Sequence, residues 1–266
     1  MAARLIGDDE AAGTDLSTLL QIYPGAAEAR QARFFLAESF ARRERWTSAA
    51  ELLRPFVEES VDDALRAPAI FWLARSYEAA GDYAAAVATY QRYRDLGTLL
   101  QPYAALRQAA QYEAAGQLAE AATAYEYAAR TDIVRGERAG SFERAIRLRQ
   151  QLGSPEAGLD LYDELLALAE TPTYRASLFS QAAALAQEIG QGNRAGAWLR
   201  QLVTEAPGAT QAAAAADQLL AAGDPALSAT AAGKIFFEAE RWPDAVAQFD
   251  QAIAQGGDLE AGVELR

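Results

Sequence analysis

Residues 70–93 read IFWLARSYEAAGDYAAAVATYQRY, and this stretch decides the fold class. Ile70, Leu73, Ala74 and Tyr77 recur at the spacing that places residues on one face of a helix. An apolar face of this kind is stable only when it packs against another element. The first half of the stretch therefore predicts an amphipathic helix.

The second half of the stretch predicts a turn and a second helix. Gly81 interrupts the pattern, and glycine readily adopts the left-handed backbone that ends a helix. Asp82 follows it and is a favourable N-cap for the next helix. Ala86, Tyr90 and Tyr93 then form a second apolar stripe. Together the two halves predict a helical hairpin with a small residue in each helix where the two approach.

The same unit recurs along the chain, which is the signature of a repeat protein. In the first unit Glu44 replaces the turn glycine, and an additional alanine-rich helix is predicted near residues 210–222. The small residues of the second helices lie 37, 35, 37, 37 and 50 positions apart, at Ala49, Ala86, Ala121, Gly158, Ala195 and Ala245. We therefore predict one all-α solenoid over residues 1–266, with about six imperfect repeats of 35–37 residues.

The repeat pattern continues towards both ends of the chain. Ala12 lies 37 residues before Ala49, and residues 258–266 have the pattern of another first helix. Because solenoids need polar capping units, this pattern leads us to expect a fragment of a longer protein. Residues 1–10 lack a basic segment followed by a long apolar stretch, so no signal peptide is predicted in them.

The composition excludes several classes of function. The chain has no Cys and no His, which excludes zinc sites built from those residues, Ser-His-Asp triads and disulfides. Its formal net charge of −13 disfavours nucleic acid and anionic membrane surfaces as partners. No apolar run approaches the roughly 20 residues needed to span a membrane. We predict no catalytic residue, no cofactor, no metal and no membrane insertion, and hence that this chain itself is non-catalytic.

A resemblance to a known family rests on residues 73–90, LARSYEAAGDYAAAVATY. This segment resembles the tetratricopeptide repeat, and the resemblance covers nearly the whole chain. The period of 35–37 residues is longer than the family's usual period of about 34 residues. The resemblance implies a right-handed superhelix that binds a protein or peptide partner in a concave groove lined by its first helices.

A narrower resemblance rests on residues 23–40, YPGAAEARQARFFLAESF, and residues 236–253, FFEAERWPDAVAQFDQAI. They are similar to bacterial cell-envelope repeat proteins. The extra helix before the last unit is similar to the superhelical, non-catalytic amino-terminal region of soluble lytic transglycosylases. That resemblance implies a periplasmic setting and peptidoglycan strands or associated proteins as partners. The alternative is a free-standing adaptor, in outer-membrane assembly, cell-division coordination or the cytoplasm.

Projection of the repeat register gives candidate residues for the groove. Aromatic anchors beside arginine and carboxylate side chains suit a peptide or an extended polymer. The candidates are Phe34, Glu38, Phe71, Arg75, Glu78, Tyr103, Arg107, Glu113 and Arg147, with Lys234 and Phe237 near the end of the chain. The alternative is that Phe34 and Phe71 pack between helices, as aromatic stripes at helical spacing commonly do.

Chaperone-binding members of the family clamp a peptide carboxylate with Lys, Asn and Arg side chains. The corresponding positions here are Phe34, Glu38, Trp72, Tyr103 and Arg107, and only Arg107 fits. The resemblance therefore does not imply a receptor for chaperone tails.

Two charged segments also stand out. Residues 130–149 contain six arginines. This pattern suits either an anionic partner or a solvated helix face, and we favour the solvated helix face. Glu58, Glu59, Asp62 and Asp63 lie at a predicted helix junction, where carboxylates favour the start of the next helix. No glycine-punctuated calcium loop surrounds them, so a metal site is not predicted there.

Overall fold

The computed structural model of the chain describes residues 9–59 and 61–256, with side chains from residue 13 onward. Within these ranges the secondary structure is helical and contains no strand. The predictions that concern residues 1–8 and 258–266, and the side chain of Ala12, lie outside the described residues. The helices are α1 (Asp9–Ile22), α2 (Ala29–Arg42), α3 (Trp46–Leu53), α4 (Pro55–Glu58), α5 (Arg66–Ala79), α6 (Tyr83–Asp95), α7 (Gln101–Ala114), α8 (Leu118–Ala129), α9 (Arg135–Gln151), α10 (Pro155–Leu168), α11 (Pro172–Glu188), α12 (Gly192–Glu205), α13 (Ala212–Ala221), α14 (Ala229–Glu238) and α15 (Trp242–Ala254).

The predicted hairpin is confirmed in the segment that decided the fold class. Gly81 has a φ of 76°, and its N–H donates to the Glu78 carbonyl at 3.1 Å. The Asp82 N–H donates to the Tyr77 carbonyl at 2.9 Å, while the Asp82 side chain accepts from the Ala85 N–H at 3.1 Å. Two consecutive residues therefore end helix α5 and cap helix α6, which is why the loop is so short.

The turn keeps this geometry where the sequence departs from glycine. Glu44 has a φ of 59° and Glu240 has a φ of 58°, so both occupy the left-handed region that L-residues adopt at an energetic cost. The Arg45 N–H donates to the Phe40 carbonyl at 2.9 Å, as the residue after Gly81 does in its own hairpin. The prediction that Glu44 takes the place of the turn glycine is confirmed.

The small residues lie where the helices of a hairpin cross. All six second-helix positions named in the sequence analysis are buried. At Gly233, on the first helix α14, an added Cβ would lie 2.8–2.9 Å from ring atoms of Phe249 on α15. This is closer than real Cβ atoms come to other heavy atoms, so α14 and α15 can approach this far only because residue 233 has no side chain.

The core runs from one hairpin into the next, because helix α5 is buried on two sides. Ala69 and Leu73 belong to a cluster with residues of α2, α3 and α4. Ile70 and Ala74 belong to a second cluster with residues of α6 and α7. The α5–α6 hairpin thus buries its apolar surface against the hairpins on both sides of it, as in a solenoid.

The chain divides into two compact units, Met1–Leu148 and Arg149–Arg266, with the boundary inside helix α9. The first unit contains the hairpins α2–α4, α5–α6 and α7–α8. The second contains α10, the hairpin α11–α12, the additional helix α13 and the hairpin α14–α15. The all-α architecture and the additional helix are confirmed, whereas the continuous right-handed superhelix over residues 1–266 stays a prediction.

The contact at Gly233 generates a test of the packing. We expect Gly233→Ala to lower the free energy of unfolding by about 1–2 kcal/mol, because overpacking outweighs the gain of about 1 kcal/mol from replacing a helical glycine. Gly196→Ala is the matched control, since its Cβ would meet Arg200 at an ordinary 3.5 Å. Thermal unfolding followed by circular dichroism gives both values, and an equal or smaller loss in Gly233→Ala would contradict the assigned crossing.

Candidate functional site

In the first unit, helices α5 and α7 are joined by an ionic contact at Glu78. Glu78 accepts a hydrogen bond from the Tyr90 hydroxyl on α6. Arg107 on α7 donates from Nη1 to the two Glu78 carboxylate oxygens, at 3.0 and 3.3 Å. Arg75 Nε lies 3.7 Å from Glu78 Oε2. One carboxylate thus organises a tyrosine and two arginines.

A similar contact recurs one hairpin later. The Tyr125 hydroxyl on α8 donates to Glu113 Oε2 on α7 at 2.7 Å. The same hydroxyl accepts from Arg144 Nη1 on α9, also at 2.7 Å, and the Arg144 guanidinium carbon lies 5.3 Å from the Tyr125 ring centre. We call these two contact groups together the ladder, formed by Arg75, Glu78, Tyr90, Arg107, Glu113, Tyr125 and Arg144.

The two phenols of the ladder are fixed as hydrogen-bond donors. Tyr90 and Tyr125 are fully buried. Burial raises the pKa of Tyr125 to about 12, and its hydrogen bond to Glu113 adds to the shift. Burial and the hydrogen bond to Glu78 likewise raise the pKa of Tyr90. Both hydroxyls therefore stay protonated at neutral pH and hold the carboxylates in place.

Two arginines of the ladder keep unused hydrogen-bond donors. Among the described residues, Arg107 and Arg144 each make hydrogen bonds only through Nη1. Their side chains also keep contact with solvent. A guanidinium has five N–H donors and binds carboxylates well because its donors form a planar fork. With three arginines against two glutamates, the ladder is locally cationic.

The ladder is an addition to the repeat and is not required by it. Glu78 and Glu113 lie three residues before a turn glycine, and Tyr90 and Tyr125 lie nine residues after it. The other hairpins have different pairs at these positions, namely Ala41 with Leu53, Gln150 with Tyr162, Gln187 with Leu199 and Phe237 with Phe249. Because those hairpins fold without a Glu–Tyr pair, the pair is not needed to form a hairpin.

Several predicted groove residues belong to the ladder or lie beside it. Arg75, Glu78, Arg107 and Glu113 are brought together as described above. Phe71 is half-buried, and its ring centre lies 6.1 Å from that of Tyr90 and 5.2 Å from that of Tyr93. Tyr103 is 38% exposed and precedes Arg107 by one turn of α7. Phe71 thus precedes Glu78 on α5, and Tyr103 precedes Arg107 on α7.

Other predicted residues lie elsewhere. Phe34 does not line a groove as predicted, because it is only 7% exposed and packs edge-to-face on Phe56 in the core. Glu38 pairs with Arg42 of its own helix at 2.8 Å. Arg147 is exposed on α9, three residues after Arg144. Lys234 and Phe237 are exposed in the second unit.

Sequence reasoning missed the polar role of Tyr90, Tyr125 and Arg144. Tyr90 was assigned to an apolar stripe, and Tyr125 has the equivalent position in the next unit. The assignment is correct for the rings but leaves out the hydroxyls. A signal was nevertheless present, because a Glu and a Tyr recur 12 residues apart across the turn in two successive hairpins. Arg144 belongs to the run of six arginines, which was interpreted as a solvated helix face. Another arginine of that run, Arg138, donates to the Ala129 carbonyl at 2.9 Å.

The acidic cluster at the junction before α5 has a structural explanation. Arg30 pairs with Glu59 and, at 2.7 Å, with Asp63, and its guanidinium lies 4.1 Å from the Phe56 ring centre. The hydrogen bond from Arg30 keeps the pKa of Asp63 below its usual value. Asp63 Oδ1 also accepts from the Leu65 N–H at 3.0 Å. Across residues 9–59 and 61–256, no group of three or more carboxylates is arranged to hold a metal ion.

None of the helices in the described part of the chain combines the length and the apolar character needed to cross a membrane.

Comparisons with known proteins give a fold likeness and no family. No protein-family model matches the chain, and no curated protein matches it. A tetratricopeptide repeat protein from Parabacteroides merdae aligns over 99% of this chain and 93% of its own, with 15% identity and a TM-score of 0.48. TPR-like repeats of a putative kinesin light chain from Podospora anserina align over 63% of this chain and 89% of their own, with 18% identity and a TM-score of 0.47.

A third similar structure is the Rap conjugation gene regulator of the plasmid pLS20 in complex with the Phr* peptide. It aligns over 85% of this chain and 62% of its own, with 13% identity and a TM-score of 0.38. Likenesses at this level carry no conclusion about a shared partner. The assignment of the chain to an all-α array of helical hairpins rests on its own turns and core.

The buried phenols generate a prediction for alkaline pH. An unfolded tyrosine loses its proton near pH 10, whereas folded Tyr125 keeps it to about pH 12, so folding stability falls as pH rises between these values. One such group contributes up to about 1.4 kcal/mol per pH unit. We expect Tyr125→Phe to make the urea midpoint less dependent on pH between 10 and 12.

Tyr103→Phe is the control, because Tyr103 is exposed on the same unit. The quantity compared is the slope of the urea midpoint against pH, and not the midpoint itself, because Tyr125→Phe also removes two hydrogen bonds at every pH. Equal slopes in the wild type and in Tyr125→Phe would contradict the ladder geometry.

Proposed function

We propose that this chain is a non-catalytic interaction scaffold and that the ladder binds an acidic segment of a protein partner. The observation that carries the proposal is the preorganisation of Arg107 and Arg144. Glu78 and Tyr125 hold them in place before any ligand arrives, which reduces the entropy lost on binding. The ladder is also specific to two hairpins of the repeat, as a recognition element would be.

Recognition by the ladder has to act at short range. The chain has a net charge of −13, so its long-range field repels an acidic partner. Direct hydrogen bonds between guanidinium and carboxylate groups act over about 3 Å and are screened little by salt. A short acidic segment is therefore favoured over a highly charged polymer.

The spacing of the ladder suggests the pattern of the ligand. Arg107 reaches from α7 to Glu78 on α5. Helices that pack side by side lie about 8–10 Å apart, so we expect Arg107 on α7 and Arg144 on α9 to be separated by roughly that distance. An extended peptide rises about 3.3 Å per residue. Acidic side chains about three residues apart would meet both arginines.

The peptide proposal predicts a selection experiment. We expect random 12-residue peptides selected on the wild type to be enriched in two acidic residues about three positions apart. Arg107→Gln and Arg144→Gln should each weaken these peptides by about tenfold or more, because each removes a charged hydrogen bond. Arg92→Gln is the matched control, since Arg92 is exposed on α6 and carries the same charge.

The three variants are measured by fluorescence anisotropy after circular dichroism has confirmed their helix content. Selected peptides without acidic residues, or equal weakening by Arg92→Gln, would overturn the proposal.

The finer proposal is that the chain is the non-catalytic arm of a bacterial peptidoglycan lytic transglycosylase in the periplasm. It is supported by the sequence resemblance of residues 23–40 and 236–253, and by helix α13 before the last hairpin, which is the order of units that the resemblance implies. The alternative is a free-standing adaptor of the envelope or cytoplasm. The ladder does not separate the two proposals, because its arginines suit a carboxylate and the peptides of peptidoglycan also carry carboxylates.

These two proposals predict different results with insoluble peptidoglycan. If the chain is the arm of a wall enzyme, purified sacculi should sediment it, and Phe71→Ala and Tyr103→Ala should reduce the bound fraction severalfold by removing stacking surface for sugars. Tyr83→Ala is the control, since Tyr83 has the same 38% exposure as Tyr103 and lies on a second helix. If the sacculi sediment no more of the chain than of serum albumin, the proposal of a wall-enzyme arm is contradicted and the free-standing adaptor is favoured.

A further inference from the structure

A cleft separate from the ladder lies among helices α6, α7 and α8, with a volume of about 490 Å³. Its lining includes Arg94 of α6, Gln108 and Tyr112 of α7, and Thr123 and Tyr127 of α8. None of these residues belongs to the ladder or to the groove predicted from the sequence. The cleft combines aromatic faces with one guanidinium.

The Arg94 guanidinium is held by uncharged groups. Its Nη1 donates to Gln108 Oε1 at 2.5 Å and to Gln91 Oε1 at 3.4 Å. Its guanidinium carbon lies 4.4 Å from the centre of the Tyr127 ring. Its Nε is buried and has no hydrogen-bond partner, and Nη2 makes no hydrogen bond to a described residue. The side chain is thus fixed in position while several of its donors stay unused.

Gln108 is what makes this arrangement rigid. It is only 1% exposed, and its Nε2 donates to the Val87 carbonyl at 3.1 Å and to Gln91 Oε1 at 3.2 Å. These bonds fix the orientation of the amide and turn Oε1 towards Arg94. A buried amide with all its partners in place is a strong positional constraint.

The charge of Arg94 is not balanced by a neighbouring carboxylate. Within the described residues it forms no ion pair, whereas Arg175 pairs with Glu205 and Arg241 pairs with Asp217, each at 2.7 Å. Glu120 also lines the cleft, but it precedes Tyr127 by seven residues, which is about 10 Å along helix α8. The cationic end of the cleft therefore lies beside Tyr127.

We propose that this cleft binds a carboxylate that is attached to an aromatic or apolar group of a peptide. The carboxylate accepts hydrogen bonds from Nη2 of Arg94, and the attached group packs against Tyr112 and Tyr127. A fixed guanidinium loses little entropy when it binds, and its charge is neutralised by the ligand. The source of the carboxylate is a peptide C-terminus or an acidic side chain.

Three N-acetylated tripeptides test the proposal and separate these two sources. Alanyl-alanyl-tyrosine has a free terminal carboxylate, alanyl-alanyl-tyrosine amide has none, and alanyl-glutamyl-tyrosine amide has one on its side chain. Titrations by saturation-transfer difference NMR on the full chain give the dissociation constants. We expect at least one carboxylate peptide to bind about tenfold or more tightly than the neutral amide. The tighter of the two identifies the source.

Two arginine variants decide whether the cleft is responsible. Arg94→Gln should remove the preference for the carboxylate peptides, whereas Arg92→Gln should preserve it, because Arg92 is exposed in the same last turn of α6 and outside the lining. Tyr127→Leu is a second variant that keeps Arg94 and should weaken all three peptides. The proposal is overturned if no carboxylate peptide exceeds the amide, or if Arg92→Gln and Arg94→Gln reduce the preference equally.

Discussion

The left-handed residue between the two helices of each hairpin is the constraint on which the rest of the structure depends. At Gly81 it reverses the chain within three residues, so α5 and α6 must cross at close range. Close crossing requires small residues at the contact, as Gly233 shows in the last hairpin. The large side chains are then left to pack between successive hairpins, as they do on both sides of α5 in the first unit.

The same constraint sets the geometry of the ladder. A fixed turn gives residues three before it and nine after it a fixed distance, so Glu78 meets Tyr90 and Glu113 meets Tyr125. Each tyrosine ring packs in the core, while its hydroxyl donates a hydrogen bond to the glutamate. The arginine of the following first helix completes each contact. The repeat thus supplies the positions, and the residues at those positions form the ladder that we propose as a recognition surface.

The sequence predicted the features that depend on backbone chemistry and period. These are the turn at Gly81, its replacement by Glu44, the cap at Asp82 and the additional helix near residues 210–222. It could not predict whether an aromatic side chain packs in the core or lines the groove, because both kinds of residue recur at the same helical spacing. Phe34 was therefore assigned to the groove although it packs in the core. The Arg94 cleft depends on side-chain orientations across three helices, which no local pattern encodes.

The most direct test of the account is the place where a selected acidic peptide contacts the chain. A photoreactive p-benzoylphenylalanine at position 103 lies on the first helix α7, one turn before Arg107, and the same residue at position 83 lies on the second helix α6. Both native tyrosines are 38% exposed, so accessibility does not favour either position. The account predicts strong crosslinking from position 103 and little from position 83. Equal or stronger crosslinking from position 83 would contradict it.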